Sequence, residues 1–140
     1  MEHTKQIAIS IIGLSTMAPD EFQSKIRQAV PVGTVLNNPG GGTSEIIQLS
    51  DNKISYLRGS STISVSFDDL FSAYSHFRGK RVSSSDLRAY APSIFDSAAR
   101  PAGHSCNCTF LLLILVRIDL ADSIAGTGVR GDPYTAVFRD

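Results

Sequence analysis

The 140-residue sequence predicts an α+β fold, a small antiparallel meander plus helices. Three observations carry that expectation. Between Glu45 and Phe67, apolar residues recur at every second position in runs separated by Asp, Asn, Gly and Ser turns. Later segments place apolar residues three and four apart behind Ser caps. Phe110–Val116 is an unbroken apolar run, far below the ~18 residues of a membrane-spanning helix, and so predicts a buried core helix.

Taken in order, residues 5–14 ("KQIAISIIGL") fit two patterns. Ile7, Ile9 and Ile11 alternate as a strand does, while Ile7, Ile11 and Leu14 share a helical face. A helix follows, with Pro19 in its first turn and Asp20 and Glu21 at its dipole-favoured start. Phe22, Ile26 and Val30 form one face, and Pro31 ends it. "PVGTVLNNPGGGTS" is a loop. Its glycines lack the following Lys-Ser/Thr of a phosphate loop, so they predict a hinge. The meander then runs through "EIIQLS", "ISYLR" and "TISVSF". Ser66 caps a helix with Leu70, Tyr74 and Phe77 on its apolar face, stopped by Gly79. Ser83 or Ser84 caps a shorter one with Leu87, Tyr90 and Ala91 inward and Pro92 limiting its length. After the loop "DSAARPAGHSCN" the core helix is expected from Asn107 to about Ile124, and the chain closes in a glycine turn and strands.

The expected organisation is an N-terminal strand/helix segment and Gly-rich linker over 1–42, then an α+β domain over 43–140. From residue 66 the order is helix, turn, short helix, loop, longer helix, glycine-bounded hairpin. That order resembles a winged helix over 66–138, in which the third helix enters the major groove and the hairpin flanks it. The resemblance implies DNA binding. It meets one obstacle: Phe110–Val116 offers no polar face, so only the start of that helix and its flanks are left to touch double-stranded DNA.

Thirteen Lys/Arg balance thirteen Asp/Glu, so bulk charge does not hold phosphates, and any nucleic-acid site needs local segregation. The bases do concentrate in the second half. The residues expected to contact nucleic acid are Arg78, Lys80, Arg81, Arg88, Arg100, His104, Asn107 and Arg130. Against this, basic residues at a helix C-terminus, as in "HFRGKR", also complement the helix dipole. Met1–Gly13 lacks a signal-peptide pattern, and two cysteines two apart are poorly placed to bridge each other. Both features lead to the expectation of a cytoplasmic chain with free thiols and no membrane association.

His104, Cys106 and Cys108 are capable metal ligands, but no second cysteine pair completes a zinc motif. Cys106 at a helix start with His104 as base would suit a thiol nucleophile. The plainer reading is packing, with Asn107 or Ser105 as cap and Cys108 as a small hydrophobe. Three function classes therefore stand. The first is a small DNA-binding protein or recognition module, with no cofactor. The second is a protein–protein module or homodimer drawing on the Ile-rich N-terminus. The third is a Cys- or metal-dependent enzyme.

Overall fold

A computed structural model describes residues 17–140. The two-way reading of residues 5–14, and the dimer expectation built on it, lie outside them. Among the described residues the chain is mixed α+β, with five helices, a four-stranded antiparallel sheet and a two-stranded one.

Helix α1 (Pro19–Ala29) starts at its proline and buries Phe22 and Ile26. It is tied to the turn between the second and third strands: Gln23 Nε2 donates to the Asp51 carbonyl at 2.8 Å, and Arg27 donates to that of Ser50. The main sheet follows in sequence order: β1 (Val35–Asn37), β2 (Thr43–Leu49), β3 (Lys53–Arg58) and β4 (Ser61–Ser66). Ile46, Ile54, Tyr56, Ile63 and Val65 occupy its inner face, as the period-two pattern requires. The register shifts between Ile46 and Gln48, and Ile47 between them lies on the exposed face.

The glycine-rich stretch expected to be a hinge is instead the turn of a hairpin. The Asn38 amide donates to the Gly42 carbonyl, and Gly41 and Gly42 take positive φ of 106° and 77°, which glycine adopts freely. The chain on both sides of it belongs to one sheet, since β1 pairs with β2 from Val35–Glu45 to Asn37–Thr43. Phe22, Ile26 and Val30 also share one hydrophobic core with the rest of the chain.

Helix α2 (Phe67–Phe77) is capped by Ser66, whose hydroxyl accepts from the Asp69 amide at 2.9 Å, and it stops at Gly79 with φ 77°. β5 (Arg81–Ser83) leads into α3 (Ser84–Tyr90) through a capping box: Ser83 Oγ accepts from the Asp86 amide, and the Asp86 carboxylate accepts from the Ser83 amide. Pro92 does limit α3, but a second short helix, α4 (Pro92–Phe95), restarts on it. Tyr90, expected inward, is 37% exposed and stacks on His76 at 4.4 Å.

Helix α5 (Cys106–Arg117) is the central rod. Phe110, Leu111, Leu112, Ile114 and Leu115 are all 0% exposed. One side meets α3 and α4. On another, the Phe110 ring lies parallel to that of Tyr56 from β3, 3.8 Å away with 7° between the planes. Fully burying such side chains stabilises by about 1.5–3 kcal/mol each. The helix ends at Arg117, seven residues before the expected Ile124. Asp119 takes the left-handed conformation (φ 65°), and the Leu120 amide donates back to the Leu115 carbonyl at 2.7 Å. This is a Schellman-type stop made without glycine. The rest forms an irregular hairpin through Ala121–Phe138, Ala125–Thr135 and Val129–Asp132, with β6 (Thr135–Val137) pairing to β5.

Candidate functional site

The first turn of α3, the first turn of α5, the end of β3 and the tip of the C-terminal hairpin enclose a cleft of about 550 Å3. Each wall is fixed locally. The Ser83 capping box sets the start of α3, which presents Ser84, Ser85 and, one turn on, Arg88; Arg88 Nη2 donates to Ser85 Oγ at 3.1 Å. Arg58 is the last residue of β3, and its Nη1 reaches Thr109 Oγ1 on α5 at 3.5 Å. Arg130 sits at the hairpin tip between Gly128 and Gly131, both at positive φ. The tip is braced by Asp132, whose carboxylate accepts from the Thr127 amide and hydroxyl at 3.2 and 2.9 Å. The Tyr134 ring closes over Gly128, so that a Cβ there would meet it at 2.4 Å.

No carboxylate lines this cleft among the described residues. Acids of the flanking segments are engaged elsewhere: Asp86 in its capping box, Asp96 on the Ala98 amide and Asp132 on Thr127. Three guanidiniums and several hydroxyls facing one concave space, with no competing anion, are suited to an anionic ligand. A second cleft of about 450 Å3 adjoins the first. It is lined by Ser61, Thr62, Ile63 and His104, and shares Arg58 and Cys106 with it.

The expected contact residues divide. Arg88 and Arg130 line the first cleft, and the exposed His104 lines the second. Arg78, Lys80 and Arg81 lie between the end of α2 and the start of β5 and line neither; Arg81 Nη1 donates to Thr135 Oγ1 at 3.1 Å. Arg100 is exposed on the loop between α4 and α5 and lines neither. Asn107 is not on a contact surface. It is 2% exposed; its Oδ1 accepts from the Tyr56 hydroxyl at 2.8 Å, and its Nδ2 donates to the Ile94 carbonyl at 2.9 Å.

Sequence reasoning missed Arg58, Ser84 and Ser85, whereas Thr109 belongs to the helix start that it left free to meet nucleic acid. Arg58 reads as the end of a strand, and its partner Thr109 is 51 residues away. No spacing rule joins two such positions.

The cysteines separate too. Cys108 is buried, and its thiol donates toward the carbonyls of Phe95 and Ser84 at 3.4 and 3.6 Å. Burial pushes the thiol up to about 12, although the neighbouring Arg88 pulls the other way. It is therefore a protonated packing group at neutral pH. Cys106 is half-buried and borders both clefts. Ser105, considered as a cap, makes no cap bond. Its hydroxyl accepts from the Ser97 amide at 3.0 Å and its amide donates to the Ser97 hydroxyl at 2.8 Å, clasping the loop. Among the described residues no group of three His, Cys, Asp or Glu side chains is placed to hold a metal ion, and no helix is long and apolar enough to cross a membrane.

No family model, curated protein or solved structure matches the chain, so the clefts are read from their own chemistry.

Proposed function

We propose that the chain is a nucleic-acid-binding module that holds a phosphate backbone in the arginine cleft. One observation carries the reading: Arg58, Arg88 and Arg130, from a strand, a helix and a hairpin tip, line one concave space with no carboxylate. Phosphates are bound through such charge-assisted forks, and backbone contacts supply most of non-specific affinity. The winged-helix order adds support. Helix α2, β5, α3, α5, a hairpin and β6 follow in sequence, with α4 inserted, β5 pairs with β6, and the hairpin tip acts as the wing. This proposal differs from a groove reader in one respect. The sheathed α5 contributes only its first turn, so Arg88 and the wing Arg130 carry the contact together with Arg58. Arg78, Lys80, Arg81, Arg100 and Asn107 are not part of the site.

Fluorescence anisotropy against labelled DNA at about 50 and 200 mM salt tests the reading. Three phosphate contacts predict a slope of log K on log salt near −2 to −3. Arg130→Ala should weaken binding and reduce the slope by about 0.7–0.9, whereas Lys80→Ala with Arg81→Ala should leave both within about twofold. Absence of binding at 50 mM salt, or binding indifferent to salt, removes the proposal.

A further inference from the structure

We infer that the nucleic acid taken by this chain is single-stranded: an unpaired nucleotide lies across both clefts, its phosphate among the arginines and its base in the second cleft. The inference rests on the phosphate-binding reading above and adds the class of strand.

Three features lead to it. The helix that a winged-helix order would send into a duplex groove is mostly buried, with Phe110, Leu111, Leu112, Ile114 and Leu115 all at 0% exposure, and its uncovered side holds apolar Leu113 and Val116, against the expectation that the whole run would be buried. The polar side chain in its first turn best suited to reading a base edge, Asn107, is spent on Tyr56 and Ile94. Duplex sequence reading needs a polar face along the element inside a groove, and α5 leaves only Thr109 near its start and Arg117 at its end as polar side chains outside the core.

The clefts are concave, about 550 and 450 Å3, the scale of sites that enclose a small ligand. A duplex turns its bases inward and offers such spaces only its outer phosphates. An unpaired strand can splay a base into one while its phosphate fills the other.

The two linings are also chemically different. The first holds Arg58, Arg88 and Arg130. The second has one arginine, the shared Arg58, with the Ser61 and Thr62 hydroxyls, the apolar edge of Ile63 and the exposed ring of His104. Hydroxyls, an apolar edge and a flat ring suit a sugar and base. Arg58 stands where the clefts meet, and its planar guanidinium can fork a phosphate and stack on a base.

The test uses the full chain with a labelled dT strand of about ten nucleotides and the same strand annealed to its complement. The single strand is expected to bind at least about tenfold more tightly at 50 mM salt. His104→Ala should weaken single-strand binding about five-fold or more with the salt slope unchanged, because stacking is not ionic. His104→Phe should restore most of the loss, since the ring rather than the charge is what the base needs. Arg58→Ala should weaken binding and flatten the slope. Thermal melts confirm that each variant is folded. Equal or tighter duplex binding, or single-strand affinity indifferent to His104→Ala, overturns this inference while leaving the arginine cleft in place. Failure of both probes to bind at 50 mM salt overturns the arginine-cleft proposal as well.

Discussion

Asn107 gives the sharpest test of how the sheet and the helices are joined. Its side chain spans the interface: Oδ1 accepts from the Tyr56 hydroxyl of β3, and Nδ2 donates to the Ile94 carbonyl of α4. Tyr56 is 0% exposed, so water cannot replace the lost partner. Asn107→Ala strands the buried Tyr56 hydroxyl, whereas the Ile94 carbonyl loses one of two donors and keeps the His104 amide at 3.1 Å. One unmet buried group costs about 1–3 kcal/mol and the second lost hydrogen bond about 0.5–1.5 kcal/mol, so the loss is expected to be about 1.5–4.5 kcal/mol. Tyr56→Phe removes one of the two bonds and leaves Oδ1 unmet, so about 1–3 kcal/mol should go. Urea denaturation at pH 7 reads both, and the double variant completes a cycle with a coupling of about 0.5–3 kcal/mol. Asn107→Ala within about 0.5 kcal/mol of the parent would refute the reasoning, because that is the range of an ordinary surface change. Weakened DNA binding at unchanged stability would do so more sharply, by returning Asn107 to the contact surface.

Two further outcomes follow from the same structure. Burial raises Cys108 from about 9 to about 12 and raises Tyr56 as well, so the folded state holds protons that the unfolded chain releases. The stability tied to Cys108 is complete below about pH 9 and is lost as pH rises toward about 12, at about 1.4 kcal/mol per pH unit in that window. Urea midpoints between pH 7 and 11 should fall above pH 9, less steeply for Cys108→Ala, and a level profile for the parent contradicts this. Gly103→Ala places a Cβ 2.0 Å from the Asp96 carbonyl and under 3 Å from those of Pro92 and Ala99. None of these backbone atoms can swing aside, so the thermal midpoint should drop by the equivalent of about 1–3 kcal/mol, and an unchanged midpoint would mean that this loop is not packed as described.

Much of the fold was legible because its signals are local. Ser66 with Asp69, and Ser83 with Asp86, lie three residues apart and fix the starts of α2 and α3 within reach of any window. The alternation of Ile54, Tyr56, Ile63 and Val65 fixed the meander in the same way. What escaped was decided at a distance or by an unusual residue. The end of α5 was missed because Asp119 does the work that glycine usually does. Strand β1 is three residues long beside a glycine-rich turn, and only pairing with β2 makes it a strand. Asn107 reads as a surface cap until Tyr56, 51 positions earlier, comes over it. The site escaped for a related reason. Counting bases along the chain brought in Arg78, Lys80 and Arg81 together with Arg88 and Arg130, but not Arg58, which only the folded cleft sets beside the last two.

The parallel contact of Tyr56 with Phe110 bears on how the chain can be dissected. A truncation starting at Ser66 keeps every helix from α2 onward and every piece of the winged-helix order, and looks like a natural unit on paper. It would also uncover Phe110 and the other core side chains that share one hydrophobic core with the sheet's inner face, and such bare oil drives molecules to clump. The sheet is thus the raincoat of the helical half, and fusions or crystallisation fragments that discard it should come out of cells as aggregate rather than as a smaller working protein.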